Sequence, residues 1–182
     1  MSYELKMVER IIIAGAGGQG IMLLGKVLAE AAMREDRYVT WLPSYGAEVR
    51  GGTAHCMVIF SDTGIGSPYI GQAGTLIIMN EPSLERFQSR IENNGLLIIN
   101  SSLVKKNVKT KSRILKFPFT EIALKLGNIK VANMVALGCY IQHKNIVSAK
   151  SIIQAISEIA PPDKKGLIEI NAKALEEGMR LK

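Results

Sequence analysis

The segment from Arg10 to Gly25, RIIIAGAGGQGIMLLG, predicts a strand, a glycine turn and the start of a helix in direct succession. Ile11–Ala14 is a short apolar run bounded by charge and glycine, which is typical of a strand buried on both faces of a sheet. From Gly20 onward, apolar residues recur at spacings of three and four, as on one face of a helix. This succession favours folds in which strands and helices alternate.

The rest of the chain continues the alternation. Further strands are expected at Val39–Leu42, where Pro43 breaks the pattern, and at Ala54–Ser61, Thr75–Met79, Gly95–Asn100 and Arg113–Phe117. Helices are expected from Gly20 to about Asp36, from Pro82 to about Ile91, over Thr120–Leu126 and Ala132–His143, from an N-cap at Ser148 to Ile159, and from about Asn171 to Arg180.

This order predicts an α/β fold with three layers, in which a Rossmann-like open, mostly parallel sheet is flanked by helices. Because no clear helix lies between Trp41 and Met79, we expect a mixed or antiparallel section around residues 41–79. At 182 residues and 47% hydrophobic composition, we expect one domain spanning residues 1–182.

Several classes of protein are disfavoured by the sequence. No apolar run reaches the ~18 residues that cross a bilayer, and the first ten residues, MSYELKMVER, carry two acids and no apolar block. We therefore expect a cytoplasmic protein with no membrane partner. The two cysteines, Cys56 and Cys139, are far apart in the sequence, and so are the two histidines, His55 and His143. This spacing predicts no metal site and two buried thiols.

The net charge of +7 is concentrated in residues 102–116, which hold six basic residues and no acid. One interpretation is a docking patch for an acidic partner or nucleic acid, and the other is a solvated loop. No aromatic residue precedes Phe117 in this stretch, and lysines outnumber arginines. We therefore favour a solvated loop or a protein-facing patch and expect no nucleic-acid partner.

The glycine turn matches the dinucleotide fingerprint G-x-G-x-x-G, with candidate binding residues Gly17, Gly18, Gln19 and Gly20. Free amides at a helix N-terminus attract anions. The second half of the fingerprint, a carboxylate at the end of the second strand, is absent, since that strand reads Trp41-Leu42-Pro43-Ser44. Three interpretations remain: a stand-alone NAD(P)-binding oxidoreductase, a purely structural turn, and a loop that holds an anion, a cofactor edge or a protein partner.

A second glycine-rich segment follows the second strand and reads SYGAEVRGGTAH. Loops at the carboxyl ends of neighbouring strands share one crevice, so we expect this segment to face the glycine turn. Arg50 is the candidate for holding a carboxylate or phosphate, and Glu48 for orienting Arg50. The alternative is a flexible turn with a weak surface ion pair. The candidate binding residues are Tyr45, Gly46, Glu48, Arg50, Gly51 and Gly52.

Taken together, four segments resemble the gamma subunit of 2-oxoacid:ferredoxin (acceptor) oxidoreductases. They are GAGGQGIMLLGKVLAEA, PSYGAEVRGGTAHCMVIFSD, IGSPYI and NMVALG, in this order along the chain. The combination of SYGAEVRGG with IGSP is most similar to the 2-oxoglutarate enzymes, and next to the 2-oxoisovalerate enzymes.

This resemblance implies a subunit of an enzyme that oxidatively decarboxylates a 2-oxoacid to its acyl-CoA and passes electrons to ferredoxin or flavodoxin. It assigns thiamine diphosphate, magnesium and iron–sulfur clusters to the alpha, beta and ferredoxin-like delta subunits, and no catalytic residue or cofactor to this chain. The isolated chain is then expected to be inactive. It is also expected to self-associate through apolar residues that partners normally cover, namely Met22, Leu23, Tyr45, Pro68, Tyr69 and Ile70.

Overall fold

The computed structural model of the chain describes residues 6–44, 53–160 and 165–182. Its strands are β1 Val8–Ala16, β2 Tyr38–Ser44, β3 Thr53–Ser61, β4 Ala73–Ile78, β5 Ile91–Asn100 and β6 Arg113–Phe117. The α-helices within these ranges are α1 Ile21–Met33, α2 Glu81–Phe87, α3 Phe119–Lys125, α4 Ala132–Lys144, α5 Ala149–Ile159 and α6 Lys165–Met179. The six strands form one sheet in the order β2-β3-β1-β4-β5-β6.

The strand that reverses direction in this sheet is β3. It pairs antiparallel with β1 and β2, whereas the β1–β4, β4–β5 and β5–β6 pairs are parallel. The predicted α/β class is confirmed, as is the antiparallel section expected within residues 41–79. Because consecutive antiparallel strands need no crossover helix, the pairing of β2 with β3 explains why no helical pattern lies between them.

The sheet buries both of its faces. In β1, Ile11 and Ile13 pack into a core beneath α1, α4 and α5, whereas Ile12 and Ala14 pack into the opposite core with residues of α2. This alternation follows from the two-residue repeat of a strand. The apolar run in β1 is therefore a central strand covered on both sides, as predicted, and helices lie on both faces of the sheet.

The expected break at Pro43 is wrong. Strand β2 continues through Pro43 to Ser44, and Pro43 lies opposite Cys56 in the ladder with β3. An edge strand has a neighbour on one side only, which is where a sheet tolerates proline. Pro43 therefore indicates the position of β2 at the edge of the sheet and does not mark the end of the strand.

Other element boundaries also differ from the expected ones, for example at the end of α2, which lies at Phe87 and not near Ile91. Helix α6 begins at Lys165, before the expected start near Asn171. Strand β5 begins at Ile91, before Gly95, and its first residues beyond Ile91 are exposed and polar, which leaves no apolar pattern to detect. The missed start of α6, by contrast, contains Ile168 and Ile170, which are half-buried and pack against the core, so an apolar pattern is present there and the prediction overlooks it.

Two further observations concern exposure. Ile70, expected on an exposed apolar surface, is instead buried in the core on the α2 side of the sheet, whereas Leu23, Pro68 and Tyr69 are exposed. In the parts of the chain that the structure describes, no helix is long and apolar enough to cross a bilayer.

Candidate functional site

The glycine turn connects β1 to α1 as predicted. Gly18 and Gly20 have φ angles of 84° and 71°, in the left-handed region that favours glycine. Gly15 is needed for another reason, since a Cβ at this position would lie 2.9 Å from Met79 Cβ. We call residues Gly15–Gly20 the glycine loop, and its exposed residues are Gly17 and Gly18.

Gln19 fixes the shape of this loop. The Ala16 N–H donates to Gln19 Oε1 at 2.6 Å, and Gln19 Nε2 donates to the Met79 carbonyl at 3.3 Å. The carboxamide therefore ties the loop to the end of β4. The predicted binding role of Gln19 stays a prediction, because both of these hydrogen bonds are internal to the chain.

The N-terminus of α1 has no side-chain cap. Its N-cap residue Gly20 offers no side chain to bond the first amides, and the first turn carries no acid. The Gly20 carbonyl accepts the Leu24 N–H at 2.9 Å. An uncapped helix N-terminus favours an acceptor or a negative charge from outside the helix.

A groove of about 270 Å³ lies beside the glycine loop at the carboxyl ends of β1 and β4. Its rim includes Leu103 and Ile129, whose exposed fractions of 44% and 54% are high for apolar residues. Lys130 supplies a positive charge. The full lining is Gly17, Gly18, Gln19, Met79, Leu103, Thr120, Ile129, Lys130 and Ala132.

A buried polar network lies beside the groove. Asn100 is fully buried at the end of β5, and its Nδ2 donates to the Met79 carbonyl at 3.2 Å and to Thr120 Oγ1 at 2.8 Å. The Thr120 N–H donates back to Asn100 Oδ1 at 3.3 Å. Gln19 and Asn100 thus share the Met79 carbonyl, which links the glycine loop to the ends of β4, β5 and the start of α3.

The sequence predicts Gly17, Gly18 and Gln19 as binding residues, but not the other residues around this groove. A usable signal existed for some of them, because Asn100 ends a strand and Leu103 and Thr120 follow strands of a parallel sheet, where ligand crevices form. Ile129 and Lys130 precede α4, and nothing in their own sequence context indicates that they meet the glycine loop.

Residues 45–52, the part of the second segment that holds its predicted binding residues, lie outside the described residues. Tyr45, Gly46, Glu48, Arg50, Gly51 and Gly52 all belong to this part. The residues on either side of it are described, and Thr53, the first residue after it, lies opposite Ala16 in the β1–β3 ladder. Thr53 Oγ1 also accepts a hydrogen bond of 2.8 Å from Arg86 Nη1. That the segment faces the glycine loop stays a prediction.

Both cysteines are buried, as predicted, and lie in the core that includes α1 and α4. Burial raises the pKa of each thiol to about 12. His55 is also buried and packs against the ring of Phe87 at a centroid distance of 4.8 Å. Among the described residues, no three His, Cys, Asp or Glu side chains are grouped closely enough to hold a metal ion.

The thiols of Cys56 and Cys139 are expected to resist alkylation by iodoacetamide at pH 8 while the chain is folded. The reactive species is the thiolate, and a pKa of about 12 leaves very little of it at that pH. Both thiols should react in urea, which provides the control, and mass spectrometry of the intact chain counts the labels. Rapid labelling of either thiol in the folded chain would contradict its burial.

Part of the basic stretch at residues 102–116 is paired within the chain. Lys106 Nζ lies 2.6 Å from Glu85 Oε1, and the backbone amides of Lys105 and Lys106 donate to Glu81 Oε2 at 3.0 and 3.2 Å. These amides lower the pKa of Glu81, and the hydrogen bond to Glu85 raises the pKa of Lys106. The pairs reduce the charge available to an acidic partner. The choice between a solvated loop and a protein-facing patch stays open.

Comparison with known proteins gives a matching family and several relatives. The family model described as "Pyruvate ferredoxin/flavodoxin oxidoreductase" matches residues 10–181. The 2-oxoglutarate synthase subunit KorC of Methanocaldococcus jannaschii is 33% identical over 179 residues, which cover 96% of this chain and 94% of that protein. The ketoisovalerate oxidoreductase subunit VorA of Methanothermobacter marburgensis is 33% identical over 169 residues, covering 93% of this chain. The match covers only 35% of VorA, so the chain spans about a third of that relative's length.

A solved structure shares the fold. The gamma subunit of a keto/oxoacid ferredoxin oxidoreductase from Geobacter sulfurreducens superposes with a TM-score of 0.82 at 29% identity. The match covers 94% of this chain and 96% of that one. The mixed sheet and its flanking helices are therefore an arrangement already known in a gamma subunit.

Proposed function

This chain belongs to the pyruvate ferredoxin/flavodoxin oxidoreductase family as a gamma-type subunit, and from that premise we propose that it packs on the catalytic subunits of a 2-oxoglutarate:ferredoxin oxidoreductase. The whole enzyme would convert 2-oxoglutarate and coenzyme A to succinyl-CoA and carbon dioxide. The two electrons released would pass to ferredoxin or flavodoxin. The observation that carries this proposal is the similarity to KorC along nearly the full length of both chains.

The choice of 2-oxoacid rests on the relatives' names. KorC is named for 2-oxoglutarate synthase, and VorA for ketoisovalerate oxidoreductase, at the same identity of 33%. We favour 2-oxoglutarate because the KorC match covers 94% of that protein, against 35% of VorA. A branched 2-oxoacid is the second candidate.

We assign the cofactors of this reaction to the alpha, beta and delta subunits. Cluster ligands are thiolates, whereas Cys56 and Cys139 are buried singly and burial raises the pKa of both thiols to about 12. These thiols do not suit a cluster. Thiamine diphosphate, with its magnesium ion, would supply the carbanion chemistry from a neighbouring subunit. No catalytic residue is proposed in this chain, and we expect it to be inactive alone and to act in the cytoplasm.

The surface proposed for docking is the carboxyl edge of the sheet around the glycine loop. Gly17 and Gly18 are exposed there, next to an uncapped helix N-terminus and a groove with exposed apolar residues on its rim. Exposed apolar groups beside polar ones are typical of protein interfaces. Thr53, which follows residues 45–52, lies opposite Ala16 in the β1–β3 ladder, and this supports including residues 45–52 in the docking surface.

Arg50→Ala is expected to weaken retention of this chain in the reconstituted oxidoreductase by about tenfold or more and to lower turnover in parallel. A guanidinium that bonds a carboxylate or phosphate in a desolvated interface is often a dominant contact. Affinity for the partner subunits and coenzyme A-dependent oxidation of 2-oxoglutarate are measured on the same preparation.

Arg180→Ala is the matched control, because Arg180 is an exposed arginine that pairs with Glu177, three residues earlier in the chain. It should change neither quantity, since exposed pairs contribute little. Wild-type retention and turnover in Arg50→Ala would remove Arg50 from the docking surface. Failure of the chain to join any thiamine- and cluster-binding subunits would overturn the proposed function itself.

The alternative of a stand-alone NAD(P)-binding oxidoreductase is not favoured. Strand β2 ends in Leu42-Pro43-Ser44, which provides no carboxylate to hold a ribose where the fingerprint requires one. The relatives KorC and VorA are named as subunits of a 2-oxoglutarate synthase and of a ketoisovalerate oxidoreductase. The glycine loop shares the first half of the fingerprint because a nucleotide-binding loop and a loop that docks a partner subunit both need a tight turn before a helix.

A further inference from the structure

Asn133, at the start of α4, contacts the glycine loop from a position 113 residues away in the sequence. Its side chain is buried, with 1% of the residue exposed. Asn133 Nδ2 donates to the carbonyl oxygen of Gly20 at 3.0 Å. A buried carboxamide is costly unless it is hydrogen-bonded, so this contact fixes both partners.

The other end of the same carboxamide is also bonded. Asn133 Oδ1 accepts the backbone N–H of Met134 at 2.9 Å, one of the amides in the first turn of α4 that have no partner within the helix. The N-cap residue Val131 offers no side-chain acceptor. With one end held by its own helix, the carboxamide points its donor at Gly20.

Gly20 is shaped to receive this donor. Its φ of 71° directs the chain from the loop into α1. A Cβ at residue 20 would overlap Asn133 Nδ2, so only glycine allows this approach. The Gly20 carbonyl accepts from both Leu24 N–H and Asn133 Nδ2, which joins α1 and α4 at the edge of the loop.

We infer that Asn133 is a positioning residue that, with Gln19, holds Gly17 and Gly18 in the shape that the partner subunits bind. Gln19 holds the first side of the loop through the Ala16 N–H, and Asn133 holds the second side through the Gly20 carbonyl. The two exposed glycines lie between these fixed points. This inference rests on the proposed function, since it assumes that the loop faces a partner.

The test compares Asn133→Ala with Val135→Ala, a truncation of a fully buried residue two positions along the same helix. Both variants lose stability, but only Asn133→Ala releases the Gly20 carbonyl. Relative to Val135→Ala, we expect hydrogen exchange of the bonded amides of Ala16, Gln19 and Leu24 to accelerate about tenfold or more. Affinity for the partner subunits of the reconstituted oxidoreductase should fall by a similar factor.

A second measurement tests the contact between the two residues. Gly20→Ala is strained by its positive φ in any background, but the overlap with Nδ2 exists only while Asn133 is present. The loss of partner affinity caused by Gly20→Ala should therefore be smaller in the Asn133→Ala background. Equal losses in both backgrounds would overturn the contact.

Two further results would overturn the inference. Exchange rates in Asn133→Ala that match those in Val135→Ala would show that the carboxamide does not hold the loop. Faster exchange with unchanged partner affinity would show that the loop does not present the bound surface. That second result would not contradict the proposed function. The proposed function is tested separately by assembly of the wild-type chain with its partner subunits, which does not depend on Asn133.

Discussion

Replacing Gly138 or Gly178 with alanine is expected to destabilise the chain by about 3 kcal/mol or more. The two glycines face each other where α4 crosses α6. A Cβ at Gly138 would overlap the carbonyl oxygen of Leu175 and lie 3.0 Å from Gly178 Cα. A Cβ at Gly178 would overlap the carbonyl oxygen of Val135. Because the atoms struck are backbone, no side-chain rotation relieves the overlap, and the helices must separate.

Urea unfolding followed by far-UV circular dichroism measures this loss, and Gly166→Ala is the control. Gly166 lies in the first turn of α6, and a Cβ there would meet nothing within 4 Å. Alanine at this position should be neutral or stabilise the helix by up to about 1 kcal/mol. Wild-type stability in both Gly138→Ala and Gly178→Ala would contradict the close crossing of the two helices.

These glycines illustrate what sequence patterns leave out. Periodicity locates α4 and the second half of α6 from their apolar residues, but it does not predict where two helices contact each other. A glycine inside a helix costs stability relative to alanine, so Gly138 and Gly178 hint at close packing. Pairing them requires coordinates, because they lie on helices whose order along the chain does not fix their crossing.

The sequence predicts more of the sheet than of the contacts between helices. The apolar run Ile11–Ala14 and the glycine turn after it are local signals, and both are confirmed. Pro43 misleads the strand prediction because an edge strand tolerates proline, and edge position is a property of the whole sheet. The sequence predicts a mixed or antiparallel section around residues 41–79. It does not identify β3 as the strand that reverses direction, since the same apolar strand pattern serves parallel and antiparallel neighbours.

The candidate site likewise has one part that the sequence predicts and one part that depends on the fold. The conformations of Gly18 and Gly20 follow from a strand–turn–helix pattern, and the sequence predicts the turn. The contacts that fix it come from Gln19 within the loop and from Asn133, 113 residues beyond Gly20. The motif NMVALG carries part of the family resemblance, but the role of its first residue depends on the fold, which brings it to Gly20.

Lys144→Met is the second change expected to have a large effect, with a loss of about 3 kcal/mol. Lys144 Nζ lies 2.9 Å from Glu9 Oε2, and Thr75 Oγ1 donates to Glu9 Oε1 at 2.6 Å. The Glu9 side chain is 6% exposed and that of Lys144 is 25% exposed. Removing the ammonium leaves a carboxylate in the sheet with one neutral hydrogen bond and no cation at this contact, and desolvating an unpaired charge is costly.

The double variant Glu9→Gln with Lys144→Met separates charge from packing. Glutamine keeps an acceptor for Thr75 without a charge, and methionine keeps much of the lysine stem. Replacing both ions is expected to bring stability back to within about 1 kcal/mol of wild type, measured by the same urea unfolding. A double variant no more stable than Lys144→Met would assign the loss to the packing of the lysine stem. A Lys144→Met chain as stable as wild type would show that the Glu9 carboxylate does not need the ammonium.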